Sequence, residues 1–383
     1  MTLYLRPLGL LYGPDARRAV AARAAGPLGG SEFIGYTQVE LIERNAGRIA
    51  RRVVAYRKAG RHEQLRLIEN PRADFAGLAL GRPKLMGIVN VTPDSFSDGG
   101  LLPGSAEAIA HGARLAEEGA HILDIGGEST RPGSDAVPEA TEIERILPVI
   151  GALSAKGHCI SVDTRKATVM TAAVEAGATI INDVSALAFD PASLATAARL
   201  GRPVILMHAK GDPKTMQNNP VYEDVTLDVF DMLAGRIAQC EAAGIPLARI
   251  AIDPGIGFGK TFAHNLTLLS QLTIFHGLGV ALMVGLSRKA FTGALTGEKK
   301  AGDRVMGSVG GAVQAALNGA QILRVHDVKA TRQALAVALA GADPWAGSLR
   351  QKSGQGYYAP VTDSTLHPYG EPSPLLHGDS FAF

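Results

Sequence analysis

Cysteine is scarce: the 383 residues hold only Cys159 and Cys240. No disulfide framework can be built from two thiols, and their scarcity suits a reducing cytosol, so a cytoplasmic protein is expected. A second absence is any run of about 18 apolar residues, which leaves no spanning helix and no membrane partner to expect. Arg6 and Pro7 interrupt the first apolar residues, so a secretory pattern is missing as well. The net charge is only +2, which by itself argues neither for nor against nucleic acid, and none is expected as a partner. What is present is ample material for a core, with 46% hydrophobic and 19% charged residues. The charge is unevenly spread: residues 1–84 contain 15 Lys/Arg against 7 Asp/Glu, which leaves the remainder acidic by about six charges.

From residue 85 to about 340, short β-branched runs alternate with longer amphipathic or alanine-rich segments. Strands are expected at 85–91, 121–125, 160–163, 179–182, 203–207, 250–252, 280–284 and 321–325, with helices between them. Glycine recurs just before strands, as in "EEGAHILDIGGE", "EAGATIINDV" and "LNGAQILRVHD". That placement reads as a helix C-cap followed by a short turn. Eight strands in strict alternation with helices imply parallel strands and right-handed crossovers. Eight units over about 255 residues predict an α/β fold of the (β/α)8 TIM-barrel type, in preference to an open doubly wound sheet. Residues 1–84 are expected to form a small basic appendage of unknown role, α/β or β-rich, with strand-like pieces at 3–5, 33–39 and 53–56. The Pro/Gly-rich segment 341–383 lacks periodicity and is expected to be an irregular tail, pinned by Trp345, Tyr357 and Tyr358.

Barrel enzymes carry their chemistry at the C-terminal ends of the strands. In order, the strand ends deliver Asn90; Asp124; Asp163; Asn182 and Asp183; His208; Asp253; Ser287, Arg288 and Lys289; and Arg324 with His326. Each has a plain structural reading by itself. An Asp after a strand is most often a cap or turn residue, Arg288 and Lys289 could be solvated, and Asp163 with Arg165 could be a local ion pair. As a set they read differently, because gathering charges around one barrel mouth is costly unless they face a polar ligand or one another. Asp163, Asn182 and Asp253 suit a flat heterocycle with a mixed donor and acceptor edge, such as a 2-amino-4-oxopyrimidine. Lys289, Arg324 and His326 suit an anion such as phosphate. "GIGFGKT" at 255–261 is not a phosphate loop, because Pro254 stands where that motif needs glycine; a glycine-rich turn with Phe258 lining a pocket is expected.

"MGIVNVTPDSFSDGG" at 86–100 and "DIGGESTRPGS" at 124–134, followed by "SVDTRK", "INDVSA", "IDPGIGFGK", "VGLSRKAF" and "RVHDV", resemble the dihydropteroate synthase family of pterin-binding barrels. The resemblance covers residues 85–340, two-thirds of the chain. It implies condensation of 6-hydroxymethyl-7,8-dihydropterin pyrophosphate with p-aminobenzoate to give 7,8-dihydropteroate, with Mg²⁺ as cofactor, sulfonamides as inhibitors and a homodimer as the assembly. It implies that Asp163, Asn182, Met207, Asp253, Phe258, Lys289 and Arg324 bind the pterin. Phe96, Thr130, Arg131, Pro132 and Ser287 would form the p-aminobenzoate site, and Asn90, Arg324 and His326 the pyrophosphate site, with the metal at Asn90. Asp98, Arg131, Lys289, Arg324 and His326 would be the catalytic group. The segment "HAKGDPKT" departs from the family pattern at Ala209, Lys210 and Asp212. Other readings are a methyltetrahydrofolate–corrinoid methyltransferase type of barrel, a Schiff-base aldolase using Lys289, and a non-catalytic partner subunit that keeps the pterin fold.

Overall fold

The structure, a computed structural model, describes residues 2–60, 62–91, 104–129, 134–211 and 215–343. It opens with β1 (Thr2–Tyr12), α1 (Gly13–Ala21), β2 (Gly26–Pro27), β3 (Ile34–Asn45), β4 (Arg48–Ala55) and α2 (Glu63–Glu69). The strands form one antiparallel sheet in which β3 pairs with β1 along one side and with β2 and β4 along the other. The strand-like pieces in the sequence overlap longer strands, with Phe33 just before β3 and Tyr56 just after β4. Tyr4, Leu5, Tyr36, Val39 and Ile42 are the buried residues that build this layer.

The barrel follows. Its strands are β5 (Lys84–Asn90), β6 (Ile122–Gly126), β7 (Ile160–Asp163), β8 (Ile180–Asp183), β9 (Val204–Met207), β10 (Ile250–Asp253), β11 (Ala281–Gly285) and β12 (Ile322–Val325). All eight pair in parallel in chain order, and β12 returns to β5 to close the ring. The outer helices are α3 (Ser105–Glu117), α4 (Glu139–Ser154), α5 (Ala167–Glu175), α6 (Ser193–Leu200), α7 (Val225–Ala242), α8 (Phe262–Ser270), α9 (Ala290–Thr296), α10 (Val305–Leu317) and α11 (Val328–Ala342). The capping glycines do what their position implies. Gly119, Gly177 and Gly319 all adopt the left-handed conformation at the ends of α3, α5 and α10, where a side chain would be strained.

Strand alternation turns the apolar interior into a polar mouth. Met86, Ile122, Ile180, Ile205, Ala251, Met283 and Ile322 pack together inside the barrel. Two residues further along five of these strands, the same face carries Asp124, Asn182, Met207, Asp253 and Arg324. The opposite end is stoppered by Phe75 and Leu80, which join the interior cluster. Residues 70–83, read from sequence as part of the appendage, therefore plug the barrel floor. Helix α11 continues to Ala342, two residues into the segment expected to be irregular, and Asp343 is held by Arg17 at 2.9 Å. Residues 344–383, with Trp345, Tyr357 and Tyr358, lie outside the described residues.

Candidate active site

Arg324 is the hub of the mouth. It reaches inward from β12, donating from Nε to Asp124 Oδ2 at 2.6 Å and from Nη2 to Asp163 Oδ2 at 2.8 Å. Asn182 donates from Nδ2 to the same Asp124 oxygen at 3.2 Å. Burial works against the guanidinium's charge, and the two carboxylates more than offset it, so the pKa of Arg324 rises. Burial pushes the Asp163 carboxyl upward despite Arg324, and the nearby Asp124 charge adds to the shift. Among the described residues, no donor reaches Asp124 Oδ1 or Asp163 Oδ1, although both oxygens are buried. Buried acceptors without donors are costly, and two in one barrel mouth call for a ligand that brings N–H groups.

Beside this cluster stand Asp253 and Lys289. Asp253 accepts from the Gly255 N–H at 2.7 Å, and burial raises its pKa against the pull of Lys289. Lys289 follows β11; its ammonium donates to the Ile256 carbonyl and lies 4.5 Å from the centre of the Phe258 ring. Burial lowers its pKa to about 8, with Asp253 opposing. Gly285 ends β11 where a Cβ would lie 3.6 Å from Asp253 Oδ2 and 3.7 Å from Arg324 Cβ, which leaves space between the two side chains. On the neighbouring rim, Ser287 Oγ lies 3.0 Å from His326 Nδ1 and accepts from the His326 backbone N–H at 3.1 Å. Asn90 closes β5 half-buried at the same end of the barrel, opposite Gly126 in register.

Asn90, Asp163, Asn182, Met207, Asp253, Phe258, Ser287, Lys289, Arg324 and His326 therefore all lie at one end of the barrel. Phe96, Asp98, Thr130, Arg131 and Pro132 lie outside the described residues. Two strand-end residues belong to the scaffold. Asp183 spends its carboxylate on Ser185 and the Leu187 N–H, and Arg288 forms a two-point ion pair with Asp327. The local Asp163–Arg165 pair does not form, because Arg165 turns to Glu128 at 3.0 Å. Asp124 is the residue whose importance the sequence reading understated. Its signal was a lone carboxylate inside the apolar strand "ILDIG", on the inward face two residues after Ile122.

A closed parallel barrel that gathers carboxylates, an amide and cations at the C-terminal ends of its strands has the architecture of a barrel enzyme. Comparison with known proteins agrees. The family model for pterin binding enzymes matches residues 86–326. The dihydropteroate synthase of Escherichia coli K12 is 46% identical over 266 residues, covering 69% of this chain and 94% of its own. The structure of Xanthomonas albilineans dihydropteroate synthase with 4-aminobenzoic acid superposes with a TM-score of 0.67 at 52% identity, covering 71% of this chain and 98% of that one. The same enzyme in complex with 7,8-dihydropteroate gives a TM-score of 0.64 at 50% identity, with the same coverage of both chains. The chain belongs to the dihydropteroate synthase family.

Proposed function

We infer that this chain joins 6-hydroxymethyl-7,8-dihydropterin pyrophosphate to p-aminobenzoate, releasing pyrophosphate and 7,8-dihydropteroate. The observation that carries the reading is the pair of donor-starved carboxylate oxygens on Asp124 and Asp163, held beside Asn182, Asp253 and Lys289. A pterin's amino and ring N–H groups supply the missing donors, and its carbonyl and ring nitrogens accept from Asn182 and Lys289. Arg324, held by two carboxylates, offers its planar face for stacking on the ring.

In this reading the exocyclic C–O bond of the pterin breaks and its electron pair leaves with pyrophosphate. His326 and Arg324 stabilise that charge as it develops. The electron-rich ring stabilises the methylene cation, and the arylamine lone pair forms the new C–N bond before nitrogen sheds a proton. Phe96, Thr130, Arg131, Pro132 and Ser287 are proposed to receive p-aminobenzoate, and Asp98 to shield the cation. Mg²⁺ is the divalent ion proposed, with Asn90 as its protein ligand. Among the described residues no group of three His, Cys, Asp or Glu side chains could cage a metal. One amide oxygen still fits Mg²⁺, an ion that keeps its waters and takes substrate phosphates as ligands. When bound, the ion neutralises charge on the leaving group.

No helix among the described residues is long and apolar enough to cross a membrane. A cytoplasmic location, which the two free thiols of Cys159 and Cys240 suit, and a homodimeric assembly, as the family resemblance implies, belong to the same proposal. The test is pyrophosphate release with the pterin substrate and Mg²⁺, with and without p-aminobenzoate. Release that requires p-aminobenzoate, yields dihydropteroate and is competed by a sulfonamide is the expected result. Pterin binding without turnover would transfer the reading to a methyltransferase-type barrel or a partner subunit. Arg131→Ala should raise the KM for p-aminobenzoate about tenfold or more while the pterin KM holds, the loss of a charge-assisted contact being worth about 1.5–3 kcal/mol.

A further inference from the structure

The turn after β10, "PGIGFGK", lacks the first glycine of a phosphate loop, and its lysine has a setting of its own. Lys260 is 2% exposed, and the burial of its ammonium lowers its pKa well below that of a free lysine. Its Nζ lies 2.9 Å from His208 Nδ1 and donates to the carbonyls of His208 at 3.3 Å and Phe258 at 3.0 Å. Three N–H groups thus meet three acceptors. For a charged lysine this fixes His208 as the neutral tautomer with its proton on Nε2. Burial and the Lys260 charge push the pKa of His208 down to about 3, in keeping with a ring that accepts at Nδ1.

The two joined turns are those that border the pterin pocket. His208 follows Met207 directly, and its backbone N–H donates to the Asp253 carbonyl at 3.0 Å. Phe258 carries the ring beneath Lys289. Gly255 and Gly259 let the turns approach: a Cβ at Gly255 would stand 1.8 Å from the His208 carbonyl oxygen, and one at Gly259 2.4 Å from that of Lys210. No carboxylate contacts Lys260 among the described residues; Asp253 favours its charge from a distance and Lys289 opposes it. Burying an ammonium this way costs several kcal/mol, which an apolar side chain would avoid. The cost is accounted for if the ammonium sets the geometry of the pocket wall.

We propose that Lys260 is a positioning residue for the pterin site, its ammonium tying the turn after β9 to the turn after β10 and so fixing Phe258 beneath Lys289. The proposal rests on the pterin reading above, and direct binding separates the two. Binding of 6-hydroxymethyl-7,8-dihydropterin pyrophosphate is followed by calorimetry without p-aminobenzoate, alongside both KM values and thermal unfolding. Lys260→Met should raise the pterin Kd and KM at least tenfold and leave the p-aminobenzoate KM within about twofold. His208→Asn keeps an acceptor near the Nδ1 position and should stay within about threefold of wild type, whereas His208→Leu should match Lys260→Met. This pair keeps the proposal open to refutation should Lys260→Met not fold. Unchanged pterin affinity in a folded Lys260→Met, an equal rise in both KM values, or equal behaviour of the two His208 variants would overturn it. A wild-type protein that binds the pterin but makes no dihydropteroate would sink the reaction, while the binding arm would still judge the clamp.

Discussion

At the scale of single residues, the site is a matter of which buried charge answers which. Arg324 balances Asp124 and Asp163, while Lys289 faces Asp253. Removing one member deprives the other of its opposing charge at the proposed pterin edge. Lys289→Ala and Asp253→Asn should therefore each lower kcat/KM by two orders of magnitude or more while circular dichroism stays that of the wild type. Normal turnover in either variant would remove the pterin-pocket assignment. Asp124→Asn tests the hub separately. It keeps the shape and removes the charge that holds Arg324 Nε, so pterin binding should weaken at least tenfold. The strand-end residues were legible because barrel geometry says where to look, and period-2 alternation says which side chains point inward. Alternation could not say which strand-end carboxylates would be spent on their own turns, as Asp183 is.

Elements bring these residues to one place through glycine and through the floor of the barrel. Gly255 sits at φ +67 against the His208 carbonyl, with room for no side chain. Gly255→Ala should separate the two turns and abolish measurable pterin binding while the remainder of the barrel still folds, as read by calorimetry and far-UV dichroism. Retained affinity would mean that the turn adapts freely. The plug makes a different demand. Phe75 is 1% exposed and packs on the inward-facing residues of the strands. Phe75→Ala should cost about 3–5 kcal/mol of unfolding free energy, with little change in the pterin KM because the plug lies at the end of the barrel away from the mouth. The helices, strands and caps were legible from hydrophobic period and glycine placement. The plug was not, because "NPRADFAGLALGRP" has neither a helical nor a strand period and owes its place to tertiary burial alone.

For the whole molecule, the charge imbalance of the sequence becomes a seam. Arg44 pairs with Glu223, Asp228 and Asp231, and Arg51 with Asp224, so the basic N-terminal sheet lies against the acidic start of α7. Tyr4 adds a hydrogen bond to Asp231 at 2.9 Å, and Arg72 donates to the His276 carbonyl at 2.9 Å. Two arginines of the basic surplus are thus met within the chain; sequence order alone cannot show this, since the partners are about 180 residues apart. His276 reports on the integrity of this seam. It is fully buried, its Nε2 lies 3.1 Å from the Asn318 carbonyl, and no partner among the described residues reaches its Nδ1. Burial first, and then Arg72, pushes its pKa down from 6.5 to about 3. The unfolded chain thus binds a proton at this position that the folded chain refuses. Its contribution is complete above pH 6.5 and is lost as the pH falls toward 3, by about 1.4 kcal/mol per pH unit. His208 acts in the same direction, while the raised carboxyls of Asp163, Asp183 and Asp253 act in the opposite one, so the total acid profile mixes both. A difference measurement isolates the seam. Urea unfolding of wild type and His276→Gln, which keeps a donor for Asn318, should show the wild type's advantage shrinking by about 2 kcal/mol between pH 7.5 and pH 5. Parallel stability profiles over that range would mean that His276 takes up a proton in the folded protein, and that the seam opens to water well before the barrel does.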